Sequence, residues 1–213
     1  MTRVRPLQAL ALLSFLGLSL PQLAVAQGDP AAGEAQAGTC AACHGMDGNS
    51  TVAQWPKIAG QHEAYLDRHI KLIRDGARPV PEMQGIVAGL SDQDIANLSA
   101  YFAAQDIKMG VADEGLVPQG RRIYQAGNAE TGVPACMACH GPVGEGNPLA
   151  GYPRLSGQHA LYTANMLKKY RDGAQWGEED VASRTMTEVA TELTDEEIEA
   201  VSSYLAGLHM REE

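Results

Sequence analysis

Large rings are scarce in this 213-residue chain: two Trp, two Phe and seven Tyr make 5% of it. A core with so few of them is thin and calls for a staple. Basic residues are also few, 16 Lys and Arg against 26 Asp and Glu for a formal charge of −10. That balance argues against nucleic acid or anionic lipid as a partner and favours a basic docking surface on another protein. No segment alternates apolar and polar residues as a half-buried strand does. The expected fold class is therefore all-α. No apolar run reaches the roughly 20 residues that span a bilayer. The longest, residues 9–20, follows Arg3 and Arg5 and leads to Pro21 and Ala24-Val25-Ala26. It reads as a secretory leader, residues 1–26, cleaved near Ala26; an uncleaved anchor is the alternative. Cleavage removes two basic and no acidic residues, taking the formal charge to −12.

The remainder is an internal duplication. Cys40-Ala-Ala-Cys43-His44-Gly45 matches Cys136-Met-Ala-Cys139-His140-Gly141, and Trp55-Pro56-Lys-Ile-Ala-Gly60-Gln61-His62 matches Tyr152-Pro153-Arg-Leu-Ser-Gly157-Gln158-His159. Arg74-Asp75-Gly76 and Leu90-Ser91-Asp92 recur as Arg171-Asp172-Gly173 and Leu193-Thr194-Asp195. Two tandem lobes follow, 27–114 and 115–213, each of formal charge −6. Residues 106–119, with Gly110, Gly115 and Pro118, read as the linker.

Each lobe is expected to hold three helices. The last shows one apolar face, through Ile95, Leu98 and Phe102 and through Ile198, Val201 and Leu205. Thr194 with Glu197 forms a capping box and Ser91 with Asp94 a weaker one. Middle helices are expected over 61–75 and 158–172, each stopped by the following glycine, with a shorter helix before each cysteine pair.

All four cysteines fall in Cys-x-x-Cys-His units, the attachment pattern of c-type haem. Two thiols one helical turn apart reach the two vinyl groups of one haem, and the adjacent His is held beneath the iron. One haem c per lobe follows, bound by Cys40 and Cys43 and by Cys136 and Cys139, with His44 and His140 as proximal ligands. Two short disulfides are an alternative that an exported protein permits, but they leave the repeated His unexplained. Zinc is another, but the pairs lie 96 residues apart rather than the roughly 15–20 of a zinc ribbon.

The distal ligand separates a carrier from a catalyst, since an open iron binds small molecules. Of the methionines at 1, 46, 83, 109, 137, 166, 186 and 210, only Met83 and Met186 correspond across the duplication. Each lies seven residues before the Leu that opens the final helix, and both are expected to enter from the same loop. They are the candidate sixth ligands. His62 and His159 also correspond, so bis-histidine ligation remains open, although a polar residue at a helix start is more often a solvated or capping group. Pro56 and Pro153 either lay a segment against the haem, with a carbonyl accepting from the proximal His Nδ1, or mark plain turns.

On these motifs, together with Arg184-Thr185-Met186, the chain resembles the cytochrome c4 family across essentially all of the segment after the leader. The resemblance implies two class I cytochrome c domains and His/Met ligation at both irons, in a monomeric periplasmic electron carrier, with peripheral membrane association left open. It also implies a quinol:cytochrome c oxidoreductase as donor and a terminal oxidase as acceptor. A dihaem subunit of a flavoprotein sulfide dehydrogenase shares the two-lobe design. A dihaem peroxidase needs an openable iron, against which the paired Met83 and Met186 argue. One departure from even duplication is six extra residues between Gly173 and Met186, including Glu178, Glu179 and Asp180. Unequal haem environments and two different potentials are expected from it.

Overall fold

A computed structural model describes residues 28–177 and 179–208. The leader read over residues 1–26 lies outside the described residues, as does Glu178. Among the described residues the chain is helical, with no strand and two isolated antiparallel bridges, and no helix is long and apolar enough to cross a membrane. Lobe one holds α1 (Pro30–Gln36), α2 (Gly38–His44), α3 (Glu63–Arg74), α4 (Pro81–Val87) and α5 (Asp92–Ala103). Lobe two repeats them as α6 (Val117–Ala126), α7 (Met137–His140), α8 (Ala160–Arg171), α9 (Val181–Ala190) and α10 (Asp195–Gly207), with a 3-10 turn at Pro148–Ala150.

In each lobe the first and last helices cross, α1 on α5 and α6 on α10, and the middle helix packs against the last. The crossings are close because a glycine sits at the contact. A Cβ on Gly33 would lie 2.1 Å from Asn97 O, and one on Gly120 2.2 Å from Ala200 O. Both last helices begin with complete capping boxes, Ser91 with Asp94 and Thr194 with Glu197. The core of lobe one gathers Ala37, Leu66, Leu98 and Phe102. That of lobe two is larger, with Ile123, Tyr124, Tyr170, Trp176, Ile198, Val201 and Leu205.

Four expectations need correction. Each lobe has five helices among the described residues rather than three, because the segments bearing the cysteines and the paired methionines are short helices too. Met83 and Met186 therefore sit on α4 and α9, not in a loop. The middle helices start two residues late, at Glu63 and Ala160, since His62 and His159 hold extended ψ values of 131° and 128°. The linker ends at α6, so its last three residues are helical, and it is strapped to both lobes. Asn49 Nδ2 donates to Asp106 O at 2.9 Å and Lys108 N to Asn49 Oδ1 at 2.7 Å, while Gly110 N donates to Ala206 O at 2.9 Å.

Candidate functional site: two Cys-His centres

Cys40 and Cys43 lie on α2, and its last residue is His44; Cys136 caps α7, which carries Cys139 and ends on His140. In both lobes the helix stops at a glycine with positive φ, Gly45 or Gly141. All four thiols are unbridged and half-buried. Burial raises the Cys40 pKa and pushes Cys136 up to about 11, which keeps these sulfurs protonated. Both histidines are buried, at 7% and 6% exposure.

The proline segments orient those histidines. His44 Nδ1 lies 2.8 Å from Pro56 O and His140 Nδ1 3.0 Å from Pro153 O. A carbonyl only accepts, so Nδ1 carries the proton and Nε2 is left with its lone pair. Burial pushes both imidazole pKa values down, against a raising contribution from the carbonyls, which holds the rings neutral. The carbonyls are fixed in turn. Gly48 O accepts from Ile58 N at 2.8 Å and Ala59 N at 3.1 Å, and Gly60 N donates to Phe102 O at 2.9 Å. Gly144 O accepts from Leu155 N and Ser156 N, and Gly157 N donates to Leu205 O, in the same pattern. Of the two readings of these prolines, the backbone acceptor is the one observed.

Met83 and Met186 are half-buried, and Met186 packs on the core of lobe two. Other methionines are placed differently. Met46 is 67% exposed and Met109 38%, and Met166 Sδ accepts from Arg78 at 3.6 Å. His159 turns its Nε2 to Ser50 O of the other lobe at 2.8 Å, whereas the buried His62 Nε2 has no hydrogen-bond partner among the described residues.

The residues overlooked in the sequence are Gln61 and Gln158, between the repeated Gly and His. Gln158 crosses to lobe one, where Oε1 accepts from Lys57 N at 2.9 Å and Nε2 donates to Lys57 O at 2.8 Å. Gln61 makes the reciprocal pair with Arg154 N at 3.0 Å and Arg154 O at 2.9 Å. Their repetition was the available signal. The extra segment of lobe two also docks on lobe one: Asp180 pairs with Arg68, and Trp176 lies 5.5 Å from the buried Arg78 guanidinium.

A pair of unbridged thiols beside a neutral His with a fixed tautomer is the donor set that covalent haem attachment needs, and it occurs twice. A cytochrome c family model matches residues 30–105 and again 117–209. Cytochrome c4 of Pseudomonas aeruginosa is 47% identical over 194 residues, spanning 91% of this chain and 96% of that one. The solved structure of reduced cytochrome c4 from Pseudomonas stutzeri superposes with a TM-score of 0.81 at 43% identity, covering 85% of this chain and 100% of that one. A thiosulfate dehydrogenase electron acceptor of Stutzerimonas stutzeri is 34% identical over 180 residues, 81% of this chain and 80% of that one. The chain belongs to the cytochrome c4 family, two cytochrome c domains in tandem of a kind that carries covalently bound haem c.

Proposed function

We propose that the chain is an exported dihaem electron carrier with no substrate of its own. In this reading residues 1–26 are the leader, 27–114 and 115–213 the two haem domains, and the periplasm the compartment. Cys40 and Cys43 hold one haem and Cys136 and Cys139 the other, with His44 and Met83 as axial ligands in lobe one and His140 and Met186 in lobe two. Bound haem supplies one-electron chemistry. The protein's own residues hold the imidazoles neutral and aimed, fill the distal side with thioethers that favour the ferrous state, and exclude water.

The observation that carries the reading is the repeated lock of His44 and His140 onto the Pro56 and Pro153 carbonyls at 2.8 and 3.0 Å. The bond from His159 Nε2 to Ser50 O supports a docking role for that residue over ligation. The acidic surface suits a basic docking face on each partner. A quinol:cytochrome c oxidoreductase as donor and a terminal oxidase as acceptor fit this role. The thiosulfate dehydrogenase electron acceptor among the relatives favours a second reading, in which the donor is a sulfur-compound dehydrogenase that docks on the same carrier.

The test is optical. The ferric protein should show the Met-to-iron band for two haems, and the reduced protein should not bind carbon monoxide. Met83→Ala and Met186→Ala should each open one haem to carbon monoxide. A wild-type haem that binds carbon monoxide would make the protein a catalyst and remove the ligand assignment.

A further inference from the structure

Resting on the assignment of His44 and His140 as proximal ligands, we infer that Gln61 and Gln158 are positioning residues. Each tunes the haem of the opposite lobe through one shared peptide group. The Pro56 carbonyl that accepts from His44 Nδ1 at 2.8 Å and the Lys57 N–H that donates to Gln158 Oε1 at 2.9 Å belong to the same peptide unit. In lobe two the Pro153 carbonyl accepts from His140 Nδ1 at 3.0 Å, and the Arg154 N–H of that unit donates to Gln61 Oε1 at 3.0 Å. Each proximal imidazole is thus one peptide group away from a side chain of the other lobe.

The amide orientations follow from the partners. A backbone N–H can meet only the amide oxygen, and the Lys57 and Arg154 carbonyls only the amide nitrogen, at 2.8 and 2.9 Å. Each Gln oxygen also accepts the N–H of the residue after it, His62 at 2.9 Å or His159 at 3.0 Å, which holds the amide from within its own lobe.

Hydrogen bonds in series polarise one another, by about 10–30% per bond. An acceptor on the Lys57 N–H shifts electron density along the peptide to the Pro56 oxygen. That oxygen then pulls harder on the His44 Nδ1 proton and makes Nε2 a stronger donor, which favours ferric iron. Gln158 therefore lowers the potential of the lobe-one haem, and Gln61 that of the lobe-two haem. The haem potentials are thereby tied to lobe docking, because the tuning group leaves if the lobes part.

The test uses the holoprotein and Gln158→Leu, Gln61→Leu and Gln158→Glu. Each haem is followed through a redox titration by its own hyperfine-shifted methyl resonances, and the His44 Nδ1 proton is observed in the reduced state. Gln158→Leu should raise the midpoint of the Cys40/Cys43 haem and move the His44 Nδ1 proton upfield, leaving the Cys136/Cys139 haem in place. Gln61→Leu should do the reverse. Gln158→Glu keeps an acceptor oxygen on the Lys57 N–H, so the upward shift should be absent. A shift in the variant's own lobe, an equal shift of both haems as general loosening would give, or no shift overturns the inference. Failure of the ligand assignment is distinguishable, since it shows as carbon monoxide binding in the unaltered protein.

Discussion

Replacing Gly33 or Gly120 by alanine sets a local preference against a packing constraint, and the structure says which wins. In a free helix alanine is favoured over glycine by ~1 kcal/mol. Here the new Cβ of Gly33→Ala would meet Asn97 O at 2.1 Å and Tyr101 Cβ at 2.8 Å, and that of Gly120→Ala would meet Ala200 O at 2.2 Å and Tyr204 Cβ at 2.6 Å. Real Cβ atoms essentially never come within 3.0 Å of such neighbours, so the crossing helices must part by most of an ångström. The obstacle is the carbonyl of a helix, which cannot rotate aside. Overpacking costs about 1–3 kcal/mol, occasionally more, and a shift of most of an ångström against a rigid carbonyl belongs in the upper part of that range, about 2–3 kcal/mol, which exceeds the helix gain and leaves a net loss of ~1–2 kcal/mol. For a lobe of this size that is roughly 4–16 °C in the melting midpoint. The assay is thermal unfolding of the holoprotein by circular dichroism, with Gly38→Ala as the control, where a Cβ meets nothing within 4 Å. A midpoint for Gly120→Ala at or above that of the unaltered protein would refute the reasoning.

Tyr124 is fully buried and its hydroxyl donates to Gly141 O at 2.5 Å, so Tyr124→Phe should cost about 1–2 kcal/mol. Hydrogen exchange should place that loss in lobe two and spare lobe one. Asp180 caps α9 through Ala182 N and Ser183 N and pairs with Arg68. Asp180→Ala should therefore destabilise lobe two by ~1 kcal/mol more than Asp180→Asn, which can still cap, as denaturant midpoints would show. The Lys108 ammonium, donating at 2.6 Å, and the Asn49 N–H lower the Asp47 carboxyl to about 2. A folded pKa below the unfolded one contributes stability above the ordinary carboxylate range, and that stability is lost as pH falls toward about 2. Carboxyl NMR titration should find Asp47 moved upward in Lys108→Ala; an unchanged value would count against the pair.

Much of this was legible because it is local or repeated. Capping boxes depend on residues three apart, the stops after α3 and α8 on single glycines with positive φ, and the haem motif on five adjacent residues. What escaped was short or distant. Helices α2, α4 and α7 have seven residues or fewer, too few for a 3.6-residue period to register, although Pro81 at the first position of α4 was a usable signal. Gly33 and Gly120 weaken the helical pattern of α1 and α6 at the very place where crossing needs them. Asp180 read as one charge in an acidic run, because its capping role depends on where α9 starts. The Gln61 and Gln158 clasps join residues 93 and 101 apart, and nothing local marks such a partner. Repetition drew attention to the neighbouring His instead.

Arg78 separates two sources of the inequality expected between the haems. Its counterpart across the duplication is Gln175, so lobe one alone supplies this buried cation. Apart from Trp176 of the added segment, its side-chain partners nonetheless come from related pairs. The guanidinium bonds His69 Nδ1 at 3.0 Å and Met166 Sδ at 3.6 Å, which occupy equivalent positions, and Tyr162 OH at 3.2 Å, whose equivalent Tyr65 also feels its charge. A group that touches both members of one related pair and engages both of another sits close to the pseudo-twofold axis. From there a positive charge favours the extra electron on both haems about equally, raising both potentials without splitting them. The expected splitting would then come from off the axis, where the added segment of lobe two brings Asp180 to Arg68 and has no equivalent in lobe one. Potentiometric titration of the unaltered holoprotein should therefore resolve two midpoints, and Arg78→Gln should lower both by similar amounts while their separation persists. A single midpoint in the unaltered protein would remove the inequality, and a separation that closes in Arg78→Gln would place its source at the arginine rather than in the added segment.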